Sequence, residues 1–248
     1  MTLGPVHPDG NAKGVEACFG FSRESAVRRI FRFVLVVIAA AMAALALYGG
    51  KGWYDARRQG DELAQRAGQL IAQGRGGEDL GPGHLAVLVQ VQDPGFYSHA
   101  GVDLETPGAG LTTISQSLAK RLAFEEFKPG IGKIRQTGYA IGLDQELTKQ
   151  EQLALFLDTV EMGEINGEWV TGFFKASDAA FGTPPSGLDD RQFNQLVAVL
   201  IAPGRLKLQE PDALLEERVL RIGNLAAGRC KPENLSDVWL DGCRSDPK

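Results

Sequence analysis

An α-rich fold held to a membrane by one N-terminal helix is the architecture this 248-residue sequence predicts. Three observations predict it. Ile30 to Tyr48 is an apolar run free of acids. The later chain repeatedly places apolar residues at helical spacing between capping residues and Gly or Pro stops. Strand signals are thin throughout.

Residues 1–29 mix Gly, Pro and charge without a period and read as a disordered cytoplasmic tail. Residues 30–49 read as a transmembrane helix, because at about 1.5 Å per residue the run approaches a hydrocarbon thickness of roughly 30 Å. Arg23, Arg28, Arg29 and Arg32 precede the run and Lys51, Arg57 and Arg58 follow it, a bias that puts the N-terminus inside. Ala44-Leu45-Ala46 leaves a cleaved signal as the alternative, against which the segment before the run is long. In both readings the remainder is exported. Residues 50–83 form a helical linker, a polar helix over DARRQGDELAQRAGQLIAQ that Gly74, Gly76, Gly77 and Gly81-Pro82-Gly83 terminate.

The remaining length suits one domain with a sizeable core. Its first element, HLAVLVQVQ, is a buried helix or strand that delivers Gln92 to a Pro94-Gly95 turn. In the next helix Thr112, Thr113, Gln116, Ser117 and Lys120 share one arc, opposite Leu111, Ile114, Leu118 and Leu122. An ordinary solvated face mixes Glu and Lys, so hydroxyls and amides ending in a lysine suggest a lined groove, with a plain surface as the alternative. A helix through KIRQTGYAIGLDQEL puts Lys133 and Gln136 on one face. Thr148 and Glu151 form a capping box for a structural helix that stops at Gly163. Helices near Asp190 to Ile201 and Asp212 to Ala227 complete the domain.

The net charge of -5, with no basic block, excludes a generally basic nucleic-acid binder. Cys18 lies on the inner side, whereas Cys230 and Cys243 share the exported side, where a disulfide and two free thiols are both open. No histidine or third cysteine lies near enough to make them a zinc site.

Four stretches in order then become recognisable: QDPGFYSHAGVD (92–103), LTTISQSLAKRL (111–122), the KIRQ to EMG stretch (133–163), and ASDAAFG (176–182) followed by IAPGR (201–205). Together they resemble glycosyltransferase family 51, the peptidoglycan glycosyltransferases that polymerise lipid II and form the first module of bifunctional penicillin-binding proteins. The resemblance spans Leu85 to Gly228, and the chain length matches the monofunctional branch, which lacks a transpeptidase module. It implies a mainly α, lysozyme-like domain over 84–228 with a small membrane-proximal lobe, a C-terminal tail over 229–248, and a place in the bacterial inner membrane with the domain outside.

The departures carry the functional expectation. Where the family has a general-base glutamate this sequence has Gln92, and where a second glutamate assists at the donor pyrophosphate it has Gln136. An amide has no accessible protonation state near neutral pH, and losing a general base costs about 10²- to 10⁴-fold in rate. Gln136 also weakens any divalent metal the family would hold there, since Mg²⁺ favours charged oxygens; no other cofactor is implied. Lys120 and Lys133 match pyrophosphate-contacting positions, Lys128 stands for the usual arginine, and Thr112 and Gln116 complete the substrate-binding set. Thr112 replaces the motif's serine, Ser117 replaces its second glutamine, and the segment between Asp103 and Leu111 is short. Removing two acids makes the pocket more positive. The resemblance thus implies a domain that binds lipid II or a related undecaprenyl-pyrophosphate glycan at the membrane, alone or beside active cell-wall synthases, with catalysis lost or reduced. The alternative is an active polymerase with rearranged residues. His99 reads as a structural histidine, and Asp93 and Glu105 as poor substitutes for the missing base.

Overall fold

The computed structural model describes residues 1, 2, 4 and 20–244, so Cys18 and most of the segment read as a tail lie outside the described residues. Helix α1 runs from Gly20 to Ala72, merging the expected membrane helix and polar linker helix into one element and starting ten residues earlier than the apolar run. Interior glycines do not break it: each costs only about 0.5–1 kcal/mol against alanine. The chain divides into two compact units, Met1–Ala46 and Leu47–Lys248. In the first, the apolar stretch of α1 is wholly unburied, and among the described residues α1 is the one helix long and apolar enough to cross a membrane.

The second unit is built on α2 (His84–Gln92), α3 (Ile114–Ala123), α4 (Gly132–Glu146), α5 (Lys149–Thr159), α6 (Phe173–Phe181), α7 (Asp190–Val199) and α8 (Ala213–Ala226). The α-rich expectation holds, and α2 is the helix of the two alternatives. Capping boxes open α3 at Thr113, α5 at Thr148 and α7 at Asp189. Two apolar cores form. One gathers Ala56, Leu63 and Leu70 of α1 with Leu118, Tyr139, Leu143 and Leu155. The larger one gathers Leu88, Phe96, Ile114, Phe156, Phe173, Phe193 and Ile222. Helices α3 and α5 give residues to both cores, which fixes them as the shared wall on which the site is built.

The C-terminal part of α1 lies against α4 through glycine. A Cβ on Gly138 would sit 2.0 Å from the carbonyl oxygen of Gly49, and one on Gly52 would sit 2.2 Å from that of Arg135. Asp55 pairs with Arg135 at 2.9 Å and Arg57 with Glu146 at 2.6 Å along the same contact. The opposing atom at Gly138 is backbone, which cannot swing away. Gly138→Ala is therefore expected to lower stability by about 3 kcal/mol, the upper end of overpacking costs, read as a fall in thermal midpoint.

The helix expected to run to a stop at Gly163 ends at Thr159, and the residues after it form an antiparallel hairpin of β1 (Glu161–Ile165) and β2 (Glu168–Thr171). Asn166 and Gly167 connect them with φ of 54° and 81°, the left-handed pair a two-residue hairpin turn demands. A register shift between Glu161 and Gly163 marks a bulge. Gly163 has φ 91°, and a Cβ there would meet the Pro203 carbonyl oxygen at 2.3 Å, so the bulge position accepts only glycine.

The segment after α8 is packed down rather than trailing. Cys230 and Cys243 are disulfide-bonded with Cα atoms 5.2 Å apart, and Leu240 and Cys243 sit in the larger core. Asp237 accepts backbone N–H groups of Glu233 at 3.0 Å, Asp241 at 2.6 Å and Gly242 at 3.1 Å. Burial pushes its carboxyl up, but those three hydrogen bonds and the Arg221 charge outweigh it and hold the group below its ordinary 3.8. A depressed folded value means that the stabilisation is complete above about pH 4 and is lost as pH falls through the folded value. Amide exchange at 241 and 242 should accelerate at acid pH below 4. Asp237→Asn should bring that acceleration to neutral pH, at a cost of about 1.5–3 kcal/mol.

Candidate functional site

A cleft of about 920 Å³ opens beside the α3–α5 wall. Its lining comes from the end of α2, the 108–113 segment, α3 and the 124–127 segment after it, α4, the α5–β1 junction, the 200–203 segment after α7, Arg218 of α8 and Val238 of the packed C-terminal segment. Backbone N–H groups of Gly108 and Gly110 donate to the carbonyls of Asn234 at 2.9 Å and Leu235 at 2.7 Å. The short segment between Asp103 and Leu111 is thereby braced by the C-terminal segment, and the disulfide-closed loop supplies part of the cleft wall.

The loop that follows Gln92 is locked by Asp93, which is fully buried. Its carboxylate accepts from His99 Nε2 at 2.9 Å and from the Ile114 backbone N–H at 2.9 Å, tying the loop to the start of α3. His99 Nδ1 accepts from the Gly101 N–H at 3.0 Å, and Thr113 Oγ1 donates to the Gly101 carbonyl at 2.7 Å. Both ring nitrogens of His99 are thus used in structure. Neither Asp93, turned to His99, nor Glu105, exposed on the short segment, lines the cleft. Gln92 does, and it is partly exposed there.

Five of the seven site residues expected from sequence line this one cleft: Gln92, Thr112, Lys120, Lys133 and Gln136. Lys133 Nζ donates to Thr112 Oγ1 at 3.2 Å and to the Leu111 carbonyl at 3.4 Å, bridging α4 to the segment before α3. Lys120 is exposed, its ammonium 5.6 Å from the Phe127 ring centre. Gln136 is 1% exposed; its Nε2 donates to the Gln116 carbonyl at 2.7 Å, and its Oε1 has no partner. The other two stand elsewhere. Gln116 faces the interior as the reciprocal partner of the α3 cap, its Oε1 accepting from the Thr113 N–H at 3.1 Å and its Nε2 donating to Thr137 at 3.3 Å. Lys128 projects into solvent beside Glu126, with its side chain 79% exposed.

Several lining groups escaped the sequence reading. Arg121 and Arg218 add cations, and Glu125, Glu126 and Glu161 add acids. With Lys120 and Lys133 that makes four cations against three carboxylates, so the cleft is less positive than the loss of two acids alone implies. Arg121 was legible as the i+4 partner of Ser117, to which it donates at 2.8 Å. Glu161 was hidden because its segment read as helix. Among the described residues no group of three His, Cys, Asp or Glu side chains is arranged to hold a metal. Position 136 offers an amide whose nitrogen is committed to a carbonyl, so this donor set does not fit a carboxylate-held divalent ion.

Comparison with known proteins follows the same stretch of chain. The family described as Transglycosylase matches residues 77–225. Penicillin-binding protein 1C of Escherichia coli is 32% identical over 187 residues, covering 66% of this chain and 23% of that protein. Penicillin-binding protein 1B of Buchnera aphidicola is 32% identical over 129 residues, covering 47% of this chain and 17% of that protein. A biosynthetic peptidoglycan transglycosylase of Rhodopseudomonas palustris is 25% identical over 180 residues, covering 68% and 73% respectively. The chain thus spans under a quarter of the two penicillin-binding proteins and about three quarters of the transglycosylase.

Proposed function

The chain belongs to the transglycosylase family, glycosyltransferase family 51, and from that premise we propose that its cleft binds lipid II or a related lipid pyrophosphate with polymerisation lost or much reduced. The carrying observation is the joint presence of Gln92 and Gln136 in a cleft that keeps Lys120 and Lys133. The lysines supply charge for a pyrophosphate, while neither amide can take the acceptor hydroxyl's proton in the transition state. Gln136 supports this reading beyond its identity. Its Nε2 serves as a donor to the Gln116 carbonyl, a role no carboxylate can fill. Binding then persists without the differential stabilisation that turnover needs.

In this reading α1 is a single-pass anchor with its N-terminus cytoplasmic and the 84–228 domain outside the bacterial inner membrane. Tethering confines the search for a lipid-linked ligand to the bilayer surface and raises its effective concentration. A role beside active cell-wall synthases follows if the captured ligand is passed on. The test is titration of the full chain in detergent with undecaprenyl pyrophosphate. Saturable binding that Lys120→Ala plus Lys133→Ala abolishes supports the proposal, and its absence in the unmodified chain refutes it. A second reading, an active polymerase with rearranged catalysis, is favoured by one observation: Glu161 lines the cleft as a carboxylate.

A further inference from the structure

Two arginines line the cleft without a carboxylate partner: Arg218, 2% exposed, donates to the Ala198 carbonyl at 3.2 Å and the Val238 carbonyl at 3.0 Å, whereas Arg121 leaves a nitrogen unsatisfied. Arg135 pairs with Asp55 at 2.9 Å. Arg221 pairs with Asp241 at 2.8 Å and also with Glu217. Arg121 has neutral partners only: Nε donates to Thr159 Oγ1 at 3.0 Å and Nη1 to Ser117 Oγ at 2.8 Å, and the guanidinium lies 5.2 Å from the Phe156 ring centre. Its Nη2 is buried with no partner. Arg135 Nε and Arg221 Nε are also buried without a partner, but neither residue lines the cleft; Arg121 Nη2 is the one such nitrogen on a cleft-lining arginine among the described residues, and a charged donor left unsatisfied there is costly enough for a ligand oxygen to complete it.

Three constraints say what completes it. The plane of the guanidinium is fixed from two sides by α3 and α5 hydroxyls, so the free nitrogen is pre-organised. Arg121 lines the ligand cleft and is held to Thr159 at the end of α5, with its free nitrogen just beneath the surface, whereas Lys133 is held to Thr112 and Gln136 to Gln116 across α3 and α4. Glu161 also lines the cleft and, among the described residues, makes no ion pair with Arg121, yet its charge is felt at the guanidinium. Burial draws the Arg121 pKa down to about 10 and Glu161 opposes that, so the group stays a cation at neutral pH.

The geometry points to Arg121 as the centre of a second oxyanion subsite, distinct from Lys120 and Lys133, that receives a phosphate or carboxylate oxygen on Nη2 against the charge repulsion of nearby Glu161. It rests on the reading of the cleft as an anion-binding site, and names where a second anionic group of the same ligand would lie.

The full chain in detergent is titrated with inorganic pyrophosphate in one arm and N-acetylmuramic acid, a sugar carboxylate, in the other. The guanidinium ¹⁵N–¹H signal of Arg121 is followed, assigned by its loss in Arg121→Met. The inference requires a saturable shift with at least one probe, and the responding arm identifies phosphate or carboxylate. The shift should survive Lys120→Ala plus Lys133→Ala. Arg121→Lys, which keeps charge without the fork, should weaken binding about 10- to 100-fold, the usual worth of a charge-assisted hydrogen bond. Glu161→Gln, an exposed change that leaves folding alone, should tighten it severalfold. An unmoved Arg121 signal in both arms, or equal affinity in Arg121→Lys and the unmodified chain, would overturn the subsite. Failure of undecaprenyl pyrophosphate to bind while the Arg121 signal still responds would instead overturn the lipid reading and leave the subsite standing.

Discussion

Gln92→Glu is expected to raise glycan-strand formation from labelled lipid II by about 10²- to 10⁴-fold over the unmodified chain, the usual contribution of a general base. The side chain is partly exposed at the end of α2 and lines the cleft, so a carboxylate there meets water and the lysine charges rather than a buried apolar wall. The surrounding loop is fixed independently, by Asp93 holding His99 and the start of α3. Gln136→Glu should behave in the opposite way. Its carboxylate would replace an amide that donates to the Gln116 carbonyl at 2.7 Å, bringing two acceptors together in a site that is 1% exposed. That change should cost about 1–3 kcal/mol of stability, and the new acid should titrate above the ordinary carboxylate range. The double variant should therefore polymerise no better than Gln92→Glu alone, read as chain-length distribution on a gel. A double variant that alone restores activity would show that position 136 is merely a lost acid.

Loss of the lysine charges is the second large expected effect. Lys133→Ala removes a cation that already bridges Thr112 and the Leu111 carbonyl, and should weaken binding of undecaprenyl pyrophosphate about 10- to 100-fold. Lys120→Ala should act in the same direction. Because both groups reach solvent, the unmodified affinity should fall with added salt, and the double alanine variant should lose most of that dependence. Lys128→Ala is the internal control. An ammonium whose side chain is 79% exposed, at 3.7 Å from Glu126, should change affinity by less than about twofold.

These contrasts show what was legible in the residues. The helices were, because apolar spacing and Thr or Asp caps are local signals, and α3, α5 and α7 begin at the capping boxes their sequences spell. The cleft-lining polar arc of α3 was legible in Ser117 and Lys120, whereas Leu111, Thr112 and Thr113, read as part of the helix, precede it: Thr113 is its N-cap and Thr112 lines the cleft from the segment before. Gln116 shares that arc but turns inward, because its side chain is needed to close the α3 cap, a demand that only the three-dimensional start of the helix creates. The hairpin was written in Asn166-Gly167 but masked by the strong helix before it. Glu161 went unseen with it. Of the packed C-terminal segment only the Cys230–Cys243 closure was legible, as one of two alternatives, and its docking onto the domain was not. That docking depends on Arg218 donating to the Val238 carbonyl at 3.0 Å and Arg221 to the Trp239 carbonyl at 2.9 Å, contacts with no sequence pattern.

Capture of a lipid pyrophosphate without polymerisation is what the two glutamines and two lysines of the cleft lead to. Its most direct test is the fate of labelled lipid II incubated with the full chain at a concentration that saturates the binding signal. Lipid II is expected to be recovered bound and intact, with no glycan ladder. A ladder of glycan strands from the unmodified chain at saturation would contradict it, and would make Glu161 the first carboxylate to replace.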